Sequence, residues 1–336
     1  MSLTPDILPG SEVDSPYRGW DHLLDPIQDD ILGYLSLVSA QRLVIASPSN
    51  ARLVKYHTKE RVERLIKSFT LPLDGMACLM RDVGVVISGS AALAVVYPGR
   101  FIPGDLDIYV PNGVMDAVHN FLVNSTKYIL VFNQPFGRAS TRTSRSPYSG
   151  RRDETGICVI RYYVNTVSGK VLNVMEARLK VATSAVFMFH CTFVMNFITS
   201  SAVVCAYPLM VEKRVGLLNT FREKVPYAMA RCVRKYLDRG FRVLDDSAEW
   251  DYTHCCGISS YCAETTRTVS DGGTLRILFG TAGDSPMRDL IDPGLRWKLA
   301  SRFRCYCQDG QDRVFPRSGT VTTSAGPALT ISVLNA

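Results

Sequence analysis

The middle of the chain alternates short apolar runs with segments in which apolar residues recur at helical spacing. This pattern predicts strands at residues 85–88, 105–110 and 128–132, with helices at 91–96 and 112–123 between them. Strands that alternate with helices are typical of α/β and α+β domains, because a sheet buries its faces against the helices. We therefore predict that residues 75–245 form one domain, a mixed sheet flanked by helices.

Two further strands, residues 157–165 and 170–176, are predicted to form a hairpin in the same sheet. Its turn is Thr166-Val167-Ser168-Gly169. Just before the hairpin, residues 138–152 contain five arginines among serines and threonines. Low hydrophobicity and like charge predict a flexible loop there. The loop is a solvated insertion, a surface for the phosphates of a nucleic acid, or a site of phosphorylation.

Residues 181–211 contain no Asp, Glu, Lys or Arg, which is long enough for a membrane helix by length alone. Polar residues interrupt the run, and Thr199-Ser200-Ser201 indicates a break within it. We predict instead a buried core helix at 184–198 and a strand at 202–207, with no membrane partner.

The ends of the chain have a different composition from the middle. Residues 1–20 are rich in Pro, Gly and Ser and are predicted to be flexible, whereas 21–74 show helical periodicity with a break at Pro48. Residues 246–336 contain clustered cysteines and Gly-rich turns, which predicts a small C-terminal appendage and tail apart from the main sheet. Within it, residues 275–279 are a predicted strand, and 308–336 are expected to be mostly loose.

The net charge and the cysteine content place only weak limits on the possible function. The formal net charge is +7 and 46% of the 336 residues are hydrophobic, an ordinary globular composition with a mild preference for acidic partners such as nucleotides. The N-terminus lacks the features of a secretory signal, and ten cysteines without such a signal favour a reducing compartment. We predict a cytoplasmic or nuclear protein.

The candidate chemistry lies between the first two central strands. Gly89-Ser90 follows the first strand, and Asp105 and Asp107 stand one residue apart on the second, so their side chains share a face. Paired carboxylates repel each other unless a cation lies between them, and Mg²⁺ prefers such oxygen ligands. Gly89 permits a close backbone approach, and the helix that Ser90 opens favours an anion such as phosphate. Together these features indicate a site for Mg²⁺ and a nucleoside triphosphate.

Gly89-Ser90, the spacer and Asp105-Leu106-Asp107 resemble the signature of the nucleotidyltransferase superfamily, the polymerase-beta-like domains, including those of fungal proteins. The resemblance covers about residues 82–215. It implies that Asp105 and Asp107 bind Mg²⁺ and that Gly89 and Ser90 hold the triphosphate. The family also has a third carboxylate on a later strand. Here the matching position is Asn173, and Glu176 lies nearby but on the opposite sheet face unless a bulge re-aims it.

Two functions follow from this resemblance. One is metal-dependent transfer of a nucleoside monophosphate from an NTP to an acceptor, with Asp105, Asp107 and Glu176 catalytic and Asn173 at the nucleotide or the metal. The other is an inactive nucleotide-binding module. The N-terminal helices faintly resemble an F-box, with Asp25-Pro26-Ile27 in place of its usual start, which would imply a protein partner and a role as a ubiquitin-ligase substrate adaptor. The alternative is a helical extension that packs on the central domain.

A second candidate site is a cysteine cluster in the C-terminal third. If zinc is bound there, the ligands would be Cys262, Cys305 and Cys307, with His254, Cys255 or Cys256 as the fourth. The spacing matches no standard zinc finger, and cysteines that merely pack in the interior are the alternative.

Overall fold

The computed structural model describes Trp20 and residues 23–135, 156–220, 227–280, 292–301, 319–324 and 328–331. The predicted basic loop 138–152, the N-terminal segment 1–19 and two of the candidate zinc ligands, Cys305 and Cys307, lie outside the described residues. No helix in the described part of the chain has both the length and the apolar character that crossing a bilayer requires.

The described helices fall in an N-terminal group, a central group around the sheet, and one before the C-terminal third. They are α1 (Asp25–Tyr34), α2 (Leu37–Ala46), α3 (Asn50–Ser68), α4 (Leu73–Asp82), α5 (Gly89–Val96), α6 (Met115–Ser125), α7 (Thr183–Val186), α8 (Pro208–Glu212) and α9 (Tyr227–Leu237).

The described strands continue from the centre of the chain to its end. They are β1 (Val86–Ser88), β2 (Asp105–Val110), β3 (Tyr128–Pro135), β4 (Ile157–Asn165), β5 (Val171–Ala177), β6 (Asn196–Ile198), β7 (Ala202–Cys205), β8 (Val215–Leu217), β9 (Arg242–Leu244), β10 (Arg267–Thr268), β11 (Leu275–Leu278), β12 (Arg296–Lys298), β13 (Gly319–Thr322) and β14 (Leu329–Ile331).

Eight of these strands form one mixed sheet in the order β11-β7-β6-β1-β2-β5-β4-β3. β2 pairs antiparallel with β1 and parallel with β5, so it lies at the centre. The two faces of the sheet bury separate apolar clusters, and alternate residues of β2 belong to each: Ile108 to one, Tyr109 to the other. This architecture confirms the predicted mixed sheet flanked by helices, and it places β2 in the interior of the sheet.

The N-terminal helices pack on the main sheet. Leu32 and Val62 belong to the same buried cluster as Ile87 of β1. The buried Arg61 joins the layers, because its guanidinium donates to the carbonyl oxygens of Leu32, Leu35 and Val95. Residues 25–68 therefore contribute to the core that supports β1 and α5.

The charge-free segment 181–211 folds differently from the prediction. The expected helix at 184–198 is wrong: the segment contains the one-turn helix α7, a 3-10 turn at Thr192–Val194, and the hairpin of β6 and β7. Only the later strand agrees, as β7. Every residue of β6 and β7 is buried, so neither the helical nor the strand period appears in the sequence.

The C-terminal third is not separate from the main sheet. β11 pairs with β7 at the edge of the eight-stranded sheet, from Leu275 opposite Cys205 to Leu278 opposite Ala202. A four-stranded sheet, β10-β12-β13-β14, covers one face, and its Trp297 stacks on Phe187 with the ring centroids 3.8 Å apart. The prediction of an appendage apart from the sheet is therefore wrong. Within 308–336, which the sequence predicts to be mostly loose, residues 319–322 and 329–331 are ordered by long-range pairing.

Candidate functional site

Three neighbouring strands place the candidate residues side by side. Ser88, the last residue of β1, is opposite Asp107 of β2, and Asp107 is in turn opposite Asn173 of β5. The predicted hairpin, formed by β4 and β5, pairs with β2 through β5, and this parallel pairing places Asn173 beside the aspartates. Neither strand alone contains this site.

Gly89 lets the chain turn from β1 into α5 directly against Asp107. Its φ is +65°, a left-handed conformation that favours glycine. A Cβ atom at Gly89 would overlap the Asp107 carboxylate, closer than real Cβ contacts ever come. The turn therefore requires glycine for two independent reasons, and it brings backbone and carboxylate together as the sequence predicted.

A single amide group links the two aspartates. Nδ2 of Asn173 donates to Oδ2 of Asp105 at 3.0 Å and to Oδ1 of Asp107 at 2.9 Å. Both aspartate side chains therefore lie on the same face of β2, as expected from their spacing of two residues. The arrangement places two carboxylates on either side of one donor.

Burial makes the charge on Asp107 unfavourable. Asp107 is buried, and this burial, together with the nearby Asp105 carboxylate, raises its pKa to about 7. The hydrogen bond from Asn173 and the positive charge of Lys235 act in the opposite direction without cancelling the rise. Desolvation is thus the main reason why the charged form of Asp107 is unfavourable, and the Asp105 charge adds to it.

Lys235 of α9 is the cation nearest to this pair among the described ion pairs. Its Nζ lies 3.8 Å from Oδ1 of Asp105, and both side chains are partly exposed. The sequence places Lys235 on a basic helical face with Arg231 and Arg234, but nothing in that pattern indicates that the face meets the aspartates. The signal was the clustering of basic residues; the contact depends on how α9 packs.

Ser90 stands at the start of α5, immediately after the Gly89 turn. Its side chain is buried, and its hydroxyl has no hydrogen-bond partner within the described residues. A buried hydroxyl without a partner is uncommon in proteins. The Ser90 hydroxyl could therefore donate a hydrogen bond to a ligand at the position where the sequence predicts phosphate binding.

Glu176 lies outside this group. Its Oε1 accepts a hydrogen bond from the backbone nitrogen of Gly113 at 2.6 Å, in the turn before α6. Asn173 and Glu176 are three residues apart on β5, so their side chains leave opposite faces of the sheet. No bulge is recorded between β2 and β5, which pair in continuous register, and the expectation that Glu176 completes the site is not met.

The residues present fit a divalent cation. Asp105 and Asp107 offer carboxylate oxygens on one face, and the Asn173 amide can turn to present its oxygen as a third hard ligand. Burial, and after it the Asp105 carboxylate, disfavours the charged form of Asp107, and a cation bound between the two carboxylates would oppose both effects.

Comparison with known proteins adds no family assignment. No family model, no curated protein and no solved structure matches this chain.

Proposed function

We propose that this chain is a metal-dependent nucleotidyltransferase that moves a nucleoside monophosphate from an NTP to a hydroxyl group of an acceptor. The observation that carries the proposal is the convergence of Asp105 and Asp107 on the Gly89 turn. Paired acidic ligands beside a glycine turn that opens a helix combine a cation site with an anion site, and a metal–triphosphate complex has both charges.

Each residue of the site has a distinct task in this proposal. Asp105 and Asp107 would hold Mg²⁺, which supplies charge neutralisation for the phosphates when bound. The backbone at Gly89 and the hydroxyl of Ser90 would donate hydrogen bonds to the triphosphate. Lys235, 3.8 Å from Asp105, approaches from α9 and would contact the same phosphates as a cation.

The reaction requires one bond to form and one to break. The acceptor oxygen bonds to the α-phosphorus, the bond between that phosphorus and the bridging oxygen to the β-phosphate breaks, and pyrophosphate leaves with the electron pair. The acceptor hydroxyl also loses a proton. Asn173 cannot accept that proton, because an amide is not a base at neutral pH. With Asp105 and Asp107 assigned to Mg²⁺ in this proposal, the proton would leave to solvent or to the substrate itself.

A second candidate is a nucleotide-binding module without turnover, and two observations favour it. The position facing both aspartates is occupied by Asn173, and Glu176 is bound to the Gly113 turn instead. In addition, α1 and the residue before it expose a row of apolar side chains, which suits binding of a partner protein that would respond to the bound nucleotide. The most exposed of these are Leu24, Ile27 and Tyr34.

Binding should be measured first, by calorimetric titration of the full chain with each NTP, with and without Mg²⁺. Asp107→Asn should weaken Mg²⁺-dependent binding at least about tenfold, since it removes a charged ligand. Glu176→Gln is the matched control, because it changes a carboxylate on the neighbouring strand that the structure places outside the site. Equal losses in both variants, or no binding by the unchanged chain, would overturn both candidates.

Transfer should be measured second, by incorporation of α-labelled NTP into RNA, small molecules and protein. Label that is incorporated by the unchanged chain and lost in Asp107→Asn supports the transferase. Tight Mg²⁺-dependent binding with no incorporation into these acceptors supports the binding module for them and counts against the transferase.

A further inference from the structure

A second group of ligand-type side chains converges far along the chain from the aspartates. The Sγ atoms of Cys256 and Cys262 and a ring nitrogen of His254 all lie within 4.8 Å of one another, and all three residues are buried. We infer that His254, Cys256 and Cys262 bind a zinc ion that holds this segment together. The inference does not depend on the proposed function.

The distances within the group suit a zinc ion. Nε2 of His254 lies 3.6 Å from Sγ of Cys256. With Zn–S of about 2.3 Å and Zn–N of about 2.0 Å, two ligands of a tetrahedral ion are separated by about 3.5 Å. The edge from His254 to Cys256 therefore already has the length that a shared zinc ion requires.

The histidine is oriented as a ligand. Its Nδ1 faces the backbone carbonyl oxygen of Asp251 at 2.5 Å, so Nδ1 carries the proton and donates it. This fixes the tautomer in which Nε2 is unprotonated and faces Cys256. A hydrogen bond from the second ring nitrogen to a carbonyl is the usual support of a zinc-binding histidine.

The sulfur of Cys262 has a comparable support. The backbone nitrogen of Glu264 donates to it at 3.4 Å, a contact that stabilises a thiolate. Thiolate and imidazole donors together select zinc over Mg²⁺ or Ca²⁺, which prefer oxygen. The donor set therefore differs in kind from that of Asp105 and Asp107.

The segment around the group has little regular secondary structure. Between the 3-10 turn at Ser247–Glu249 and β10, the described chain forms no helix or strand, and Tyr252 and Ile258 are exposed. Cys256 and Cys262 form a buried cluster by themselves, apart from the two main cores. Tyr261 and Ala263 of the same segment pack on the second main core, so a zinc ion would fix the turn between Cys256 and Cys262 rather than fold the whole segment.

Zinc in a structural site has four ligands, and these residues supply three of them. Cys305 and Cys307, which the sequence also offered, lie outside the described residues, so the fourth position is left unassigned. Cys255 is exposed and directly precedes Cys256 in the chain, which makes it a matched control rather than a ligand.

The test uses the full chain, purified without chelators. Its zinc content is measured by inductively coupled plasma mass spectrometry. We expect about one zinc ion per chain, and a loss of at least about nine tenths of it in His254→Asn and in Cys262→Ser. Cys255→Ser should retain the ion. A chain without zinc that takes up none when it is supplied, a disulfide between Cys256 and Cys262, or equal loss in Cys255→Ser would overturn the inference.

A spectroscopic measurement on the unchanged chain keeps the test decisive if the variants do not fold. Cobalt exchanged into the site should give the absorption bands of a tetrahedral ion with thiolate ligands. X-ray absorption at the zinc edge should show at least two sulfur ligands and an imidazole. A first shell of oxygen ligands, or one without imidazole, would contradict the assignment.

Discussion

Replacing Asp107 with asparagine should stabilise the metal-free protein, and the gain should increase as the pH rises. Burial and the nearby Asp105 raise the pKa of Asp107 from 3.8 to about 7 in the folded protein. A group with a raised folded-state pKa contributes its full stability below the unfolded pKa and loses it as the pH rises through the folded pKa. Between pH 4 and 7, the unchanged protein therefore loses stability that Asp107→Asn keeps.

The size of the effect follows from the pKa difference. Because the pKa rises by about three units, at about 1.4 kcal/mol each, ionisation of Asp107 costs about 4 kcal/mol of stability at pH 8 but only about 2 kcal/mol at pH 5. The asparagine introduces an NH₂ group beside Gly89, and leaving that donor unsatisfied costs about 1–2 kcal/mol at every pH. The variant should therefore be close to neutral at pH 5 and more stable by about 2–3 kcal/mol at pH 8.

The assay is urea unfolding of both proteins in EDTA at pH 5 and pH 8, compared at each pH. Leu106→Val is the control: it alters a fully buried, uncharged neighbour on the same strand, and should destabilise by about 1 kcal/mol equally at both values. If the difference between Asp107→Asn and the unchanged chain is the same at pH 5 and pH 8 within about 1 kcal/mol, the account of a buried, repelled carboxylate is refuted.

Three other substitutions, two of them with a control variant, test the site and the packing that supports it. Gly89→Ala should destabilise by about 2–4 kcal/mol in thermal unfolding, because it combines a left-handed φ with overlap on Asp107; Gly33→Ala, where open space surrounds the helical glycine, should instead stabilise by about 0.5–1 kcal/mol. Asn173→Asp should lower the Mg²⁺ dissociation constant at least about tenfold while destabilising the metal-free protein, since it adds a third carboxylate to the cluster; unchanged Mg²⁺ affinity in titration would contradict the placement of the ion. Arg61→Met should destabilise by about 3 kcal/mol in urea unfolding, because it removes the donor from three carbonyl oxygens, two of them in buried hydrogen bonds. The exposed Arg64→Met should change stability by less than about 0.5 kcal/mol.

The local sequence determined the elements that form the aspartate site. The alternation of β2 and β5 fixed which side chains share a face, so Asp105 and Asp107 lie together and Glu176 faces away from Asn173. The glycine after β1 marked the turn because its conformation is a local property. A spacing of two residues and a required glycine are both short-range constraints, and short-range constraints appear directly in a sequence.

The tertiary structure decided which of these elements meet. The sequence of the β6–β7 hairpin does not distinguish a strand from a helix, because burial on both faces removes any period from it. β11 joins the main sheet at β7, a partner about seventy residues earlier, and Lys235 reaches Asp105 from a helix far along the chain. Similarly, His254 and Cys262 converge only because the intervening turns bring them together. Such contacts form because many distant segments bury apolar surface together in the two cores. No local sequence pattern encodes them, so only the tertiary structure reveals them.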